Sequence, residues 1–185
     1  MTPAQLQAIK GDIAADPVMS ALPRNGDSNY EIARLYNLPP AVAMTVWRTE
    51  CPVKLIDDAI DYSKYTPVDA PDSTVLQTNR LLTIQTKQMN LQKLTIGRET
   101  VDASKVNVRK GLQDAVTQLP AGTAGAYVSA GGAAGVTVLT AMLRNATRAE
   151  KLLNTGTSTT GTVTANLLGF EGTVMDRDIE ASWNV

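Results

Sequence analysis

Histidine is missing from all 185 residues. With it goes the commonest general base and the commonest protein metal ligand near neutral pH. Carboxylate or lysine chemistry stays open, but no nucleophile motif and no metal-ligand spacing accompanies it. The expectation is a protein that is not an enzyme and holds neither cofactor nor metal. Cysteine occurs once, as Cys51, which excludes an intrachain disulfide and suits a reducing cytoplasm. Lying directly before Pro52, that thiol reads as buried or idle. Aromatic residues make up only 4% of the chain, so a core must come from Leu, Ile, Val, Ala and Met. A formal net charge of −1 gives no long-range field to gather nucleic acid or anionic lipid. No run approaches the ~18–20 apolar residues of a membrane span, and the opening MTPAQLQAIKGDIAADP lacks the apolar stretch of a signal peptide. A soluble protein without a membrane partner is expected.

What is present is helical periodicity, with enough apolar content (43%) for a core. Thr2-Pro3 is a favourable helix start, Leu6, Ile9 and Ile13 form the stripe behind it, and Asp16-Pro17 ends it. Ser28 and Glu31 have capping-box spacing ahead of a helix over Asn29 to Leu38, stopped by Pro39-Pro40. That helix could open a DNA-reading helix-turn-helix, but the following AVAMTVWRTE carries one cation in ten residues, too few for phosphate contacts. Ala43 to Thr49 reads as a short strand or extended link, with Trp47 as a core or docking anchor. Pro52 begins a short helix, and Asp57, Asp58 and Asp61 at its end read as a solvated terminus because the EF-hand spacing and glycine are absent. Tyr62 to Pro71 is a connector.

Asp72 to Ile96 contains neither Gly nor Pro. Its Leu, Gln and Lys content predicts a helix whose apolar residues spread around the wheel. Such a helix needs cover on more than one side, which suggests a neighbouring subunit. Ser104 to Leu119 is the next helix, weakened by Gly111. Ala121 to Gly135, with five glycines and six alanines, is a loop lacking the Gly-Lys-Ser/Thr ending of a phosphate cradle. Val136 to Gly156 shows the clearest helical period, with Val138, Leu139, Met142, Ala146, Ala149, Leu152 and Leu153 on one face. Arg144, Arg148 and Lys151 share another. After it come a Thr-rich exposed hairpin or flexible arm, the apolar piece LLGF, and a short helix from Asp176 to Trp183.

The fold expected is mainly α: a helical bundle with long loops and a small extended or β arm near the C-terminus. Residues 1–153 would form the helical domain, with the Gly/Ala-rich loop at 121–135, and 154–185 the arm and last helix. Arg144, Arg148 and Lys151 are the strongest polar constellation, suited to DNA, RNA or an acidic partner. Cations at a helix C-terminus are also favoured by the macrodipole alone, and Glu150 partly neutralises the patch. Trp47, Leu168, Phe170 and Trp183 are the candidate interface anchors.

Several stretches carry a resemblance. MTPAQLQAIKGDIAADP, YEIARLYNLPP with TVWRTE after it, KVNVRKGL, and RNATRAEKLLNTGT followed by FEGTV together cover about a third of the chain. In wording and order they resemble a family of small structural proteins of tailed bacteriophages. The chain departs from that pattern at Ala121 to Gly135 and at the Gln-rich Thr83 to Lys93. The resemblance implies an all-α virion protein of the head–tail region, a head-completion connector or adaptor in the neck. It implies a homo-oligomeric, dodecameric ring bound to the phage portal protein on one side and to a tail or nozzle protein on the other. Packaged DNA would pass through the channel, and the protein would assemble in the host cytoplasm and reside in the virion. Arg144, Arg148 and Lys151 would then face DNA or the neighbouring subunit. Rival expectations are a tail, baseplate or capsid-associated component, and a small DNA-binding regulator using Glu31 to Glu50.

Overall fold

The computed structural model describes residues 1–66, 74–121 and 126–185. The last part of the expected connector before Pro71, the expected helix start at Asp72, and residues 122–125 of the Gly/Ala-rich loop lie outside the described residues.

Among the described residues the chain is 53% helix and 16% strand, an α/β mixture with a four-stranded mixed sheet and two small sheets. This corrects the expectation of a mainly α or all-α helical bundle. The helices are α1 (Pro3–Ala15), α2 (Pro17–Ser20), α3 (Gly26–Asn37), α4 (Val53–Asp58), α5 (Thr74–Thr95), α6 (Val106–Val116), α7 (Val136–Ala141), α8 (Arg148–Leu152) and α9 (Asp176–Trp183). The strands are β1 (Thr45–Trp47), β2 (Cys51–Pro52), β3 (Thr100–Val101), β4 (Leu119–Pro120), β5 (Tyr127–Val128), β6 (Leu143–Asn145), β7 (Asn154–Thr160) and β8 (Val163–Leu168). The large sheet has the order β6-β1-β8-β7, with β1 parallel to β8 and Val46 opposite Asn166. The two small sheets pair β2 with β3 and β4 with β5, each antiparallel.

The main physical reason for the difference lies within Val136 to Asn154. The apolar period continues through this stretch, but the backbone does not. Met142 caps α7, Leu143–Asn145 enter the sheet, and Thr147 starts a new helix. The restart is a capping box: Thr147 Oγ1 accepts the Glu150 N–H at 3.3 Å, and Glu150 Oε2 accepts the Thr147 N–H at 2.9 Å. Asn and Thr cap helices better than they continue them. The Thr-rich stretch forms β7 and β8, joined by the two residues Gly161 and Thr162. Its β-branched side chains suit a pleated surface.

The chain divides into two compact units. The first comprises Met1–Val46, Arg144–Thr157 and Asn166–Val185, and the second Trp47–Leu143 and Ser158–Ala165.

In the first unit the helix starts are written in the sequence. Thr2 and Gln5 form a capping box on α1, and the Asp16 carboxylate accepts the Val18 and Met19 N–H groups to open α2. Asn25, not Ser28, caps α3, which therefore begins earlier than Asn29. Ile9, Ile13, Met19, Ile32, Tyr36, Ala149, Val174 and Ile179 make the buried core.

In the second unit α5 packs along α6. Gly111 permits this closeness, since a Cβ there would stand 3.2 Å from Leu94 Cδ1. Lys87 Nζ reaches Asp114 at 2.8 Å, and the Tyr65 hydroxyl donates to the Ala115 carbonyl at 2.8 Å. Among the described residues one side of α5 is covered. Ile84, Leu91 and Thr95 are buried, while Leu81, Leu82 and Met89 are exposed, as is Ile96 just beyond the helix.

Candidate functional site

The three cations singled out from the sequence do not share a helix face. Arg144 lies on β6, and Arg148 and Lys151 lie on α8. Each is engaged inside the first unit. Arg144 makes a two-pronged contact with Glu150, both N–O distances being 2.7 Å, and reaches Glu171 at 3.2 Å. Arg148 Nη2 bridges Asp12 and Asp16, each at 2.9 Å, and its guanidinium lies 5.4 Å from the centre of the Tyr36 ring. Lys151 Nζ donates to the Val42 carbonyl at 2.9 Å. Binding phosphate through the two arginines would require breaking these pairs. As built, the constellation ties α1, α3 and α8 together. Tyr36 completes it by donating to Asp12 Oδ2 at 2.8 Å.

The electrostatics follow from these contacts. The Met19 N–H and the Arg148 guanidinium hold the Asp16 carboxyl below its ordinary range. Burial works to raise the pKa of Glu150, but Arg144 and the Thr147 N–H outweigh it, so that pKa is also lowered. Burial and the neighbouring Asp12 push the Tyr36 hydroxyl far up, so it stays a donor. A carboxylate with a depressed folded pKa contributes stability that is present above its unfolded pKa and lost as pH falls through the folded one. The urea midpoint is therefore expected to be flat above about pH 5 and to fall below about pH 4. Replacing Arg144 by Met should lower the midpoint at pH 7 and make its fall on acidification shallower, because Glu150 loses the partner that holds its folded pKa below the unfolded one while burial still raises it. Urea titrations of both proteins from pH 3 to pH 7 check this, and an equally steep fall in the two would contradict it.

The candidate anchors occupy different settings. Trp47 is wholly buried in the second unit, and its indole donates to the Ser158 carbonyl at 2.9 Å. Leu168 is half-buried, and Phe170 and Trp183 pack against the first unit's core. Trp183 donates to Asn29 Oδ1 at 3.0 Å and lies under the Arg24 guanidinium at 4.6 Å. Cys51 is buried, and burial pushes its thiol pKa up. Asp57, Asp58 and Asp61 are dispersed: Asp57 accepts from the Tyr62 hydroxyl, Asp58 pairs with Lys54, and Asp61 caps the turn at Ser63. Among the described residues no cluster of ligating side chains could hold a metal ion. Among them, too, no helix is long and apolar enough to cross a membrane.

Two features were not singled out from the sequence. Arg109 is completely buried on α6, with its guanidinium 4.2 Å from the centre of the Trp47 ring. It donates to Thr160 Oγ1 at 2.9 Å and to the carbonyls of Ala103 and Ser104 at 2.6 and 2.7 Å. These acceptors are neutral hydroxyls and carbonyls. Burial lowers its pKa, and the Asp102 carboxylate opposes that shift from a distance. Only one arginine in an amphipathic helix marks the position, which is no local signal of burial. The second feature is an apolar groove of about 380 Å³ in the first unit, with walls that include Tyr30, Leu38, Val174 and Met175. Tyr30 and Met175 fall outside the core periodicity, which is the one hint the sequence offers. No protein-family model, curated protein or solved structure matches the chain.

Proposed function

We propose that this chain is a non-enzymatic structural subunit of a tailed-phage virion, a head–tail connector that forms a ring under the portal and joins it to the tail. The observation that carries the assembly part is α5, a 22-residue helix that buries one side and leaves leucines and a methionine exposed on the other. A monomer has little reason to expose such a stripe, whereas a subunit buries it on assembly. The phage setting is supported by the resemblance of the sequence segments quoted above. The internally paired arginines favour a subunit that surrounds DNA without gripping it. Partners on this reading are further copies of the chain, the portal protein and a tail or nozzle protein, and its place is the virion.

Native mass spectrometry of the purified protein, alone and mixed with the portal protein of its own virion, tests the proposal. A ring is expected only in the mixture, at the portal's copy number. A protein that stays monomeric and ignores the portal would overturn it.

A further inference from the structure

We infer that neighbouring copies join head to tail, with the exposed stripe of α5 on one copy seated in the groove between α3 and the segment before α9 on the next. This rests on the reading of the chain as a self-assembling subunit and names the two surfaces that meet.

The donor surface is on the second unit. Leu82, Met89 and Ile96 recur every seven residues and are 54%, 55% and 68% exposed. Spacing of seven brings Leu82 and Met89 to one side of α5, and Ile96 follows just past its end with its N–H still bonded to the Gln92 carbonyl at 2.8 Å. With Leu81 they present on the order of 400 Å² of apolar area, about the apolar half of a standard ~800 Å² contact surface. The acceptor surface is on the first unit. Its groove of about 380 Å³ has room for more than one aliphatic side chain. Tyr30, Leu38 and Met175 on its walls are 67%, 41% and 45% exposed.

Charge decides which surface meets which. α5 contains Arg80, Lys87 and Lys93 and no acidic residue. α3 and α9 together carry five carboxylates against two arginines. Some of these charges are already engaged, Arg80 and Lys87 on α5 (Lys87 with Asp114) and Glu31 with Arg34 on α3, which leaves Lys93 on α5 against four carboxylates and one arginine on α3 and α9. Pairing α5 with a second α5 would bring two purely basic helices together, which like-charge repulsion disfavours. A contact between two different patches is heterologous, and such contacts propagate into closed rings or open helices. A two-fold contact through α5 would stop at a dimer.

Cys51 is fully buried, so thiols introduced at exposed positions are the reactive ones. The test uses full-length Leu82→Cys and Tyr30→Cys proteins, alone and mixed, oxidised with and without portal protein, and read on non-reducing gels and by native mass spectrometry. The mixture is expected to give at least tenfold more disulfide-linked dimer than either variant alone. Self-linking of Leu82→Cys without mixed product would overturn the inference in favour of a two-fold contact. Oligomers without the mixed disulfide would also overturn it while leaving the connector proposal intact. A mixed disulfide in a protein that ignores the portal would keep the inference and remove the connector role. Neither oligomer nor disulfide would remove both.

Discussion

Replacing Arg109 by Ala is expected to destabilise the protein by about 4 kcal/mol, which corresponds to a fall in melting temperature of roughly 8–16 °C for a chain of this size. The side chain is wholly buried and fills space against the Trp47 ring. Its removal leaves a cavity and also takes a donor from the Ala103 and Ser104 carbonyls. An unsatisfied buried acceptor costs about 1–3 kcal/mol. Lysine is no substitute. It keeps the charge but has no planar fork, so it cannot reach Thr160, Ser158 and both carbonyls together. Arg109→Lys should therefore recover less than half of the loss. Thermal and urea denaturation followed by circular dichroism measure both variants, and a cost below about 1 kcal/mol for Arg109→Ala would refute the assignment.

The second large effect is expected at Glu150. Its side chain is 3% exposed and serves two partners, the Arg144 guanidinium and the Thr147 N–H. Glu150→Ala removes the capping box that begins α8 and takes from Arg144 its more buried carboxylate partner, leaving Glu171. The expected cost is about 3 kcal/mol, at the lower end for a broken buried pair because Arg144 retains some access to water. Glu150→Gln keeps an acceptor for the cap and should lose about half as much. The exposed Arg34–Glu31 pair on α3 is the control. Its N–O distance of 2.6 Å is at least as short, yet solvent screens it, and Glu31→Ala should leave the urea midpoint where it was. Equal shifts for Glu150→Ala and Glu31→Ala would show that burial is not what gives the first pair its weight.

What could be read in advance was local. Thr2-Pro3 and Asp16-Pro17 bracket α1 because capping chemistry and proline sterics act within a few residues. The uneven apolar wheel of α5 pointed to the exposed side it presents. What could not be read was set by distant partners. β1 is three residues long and exists because Val46 meets Asn166, some 120 residues away, so no window of sequence contains both halves of the pair. Leu143–Asn145 sits inside an unbroken helical period and still joins the sheet. The signal that would have exposed this break, Thr147 followed three residues later by Glu150, was present but masked by the apolar spacing around it. The basic triplet misled for the same reason: spacing along one continuous helix places Arg144 and Arg148 on one face, and once the helix ends at Met142 that inference loses its basis. Arg109 was hidden because its acceptors are backbone carbonyls and hydroxyls, which leave no complementary charge in the sequence.

The way the two compact units are cut from the chain has a consequence for synthesis. The second unit needs Ser158–Ala165 and the first needs Asn166–Val185. During translation neither can close until those residues leave the ribosome, however early α1 and α3 form. The apolar groove beside α3 is walled in part by Met175, so it too is finished late. On the head-to-tail contact proposed above, a nascent chain on a crowded polysome can offer an α5 stripe but has nowhere to receive one, so linking of unfinished copies is held off until residues 166–185 have emerged.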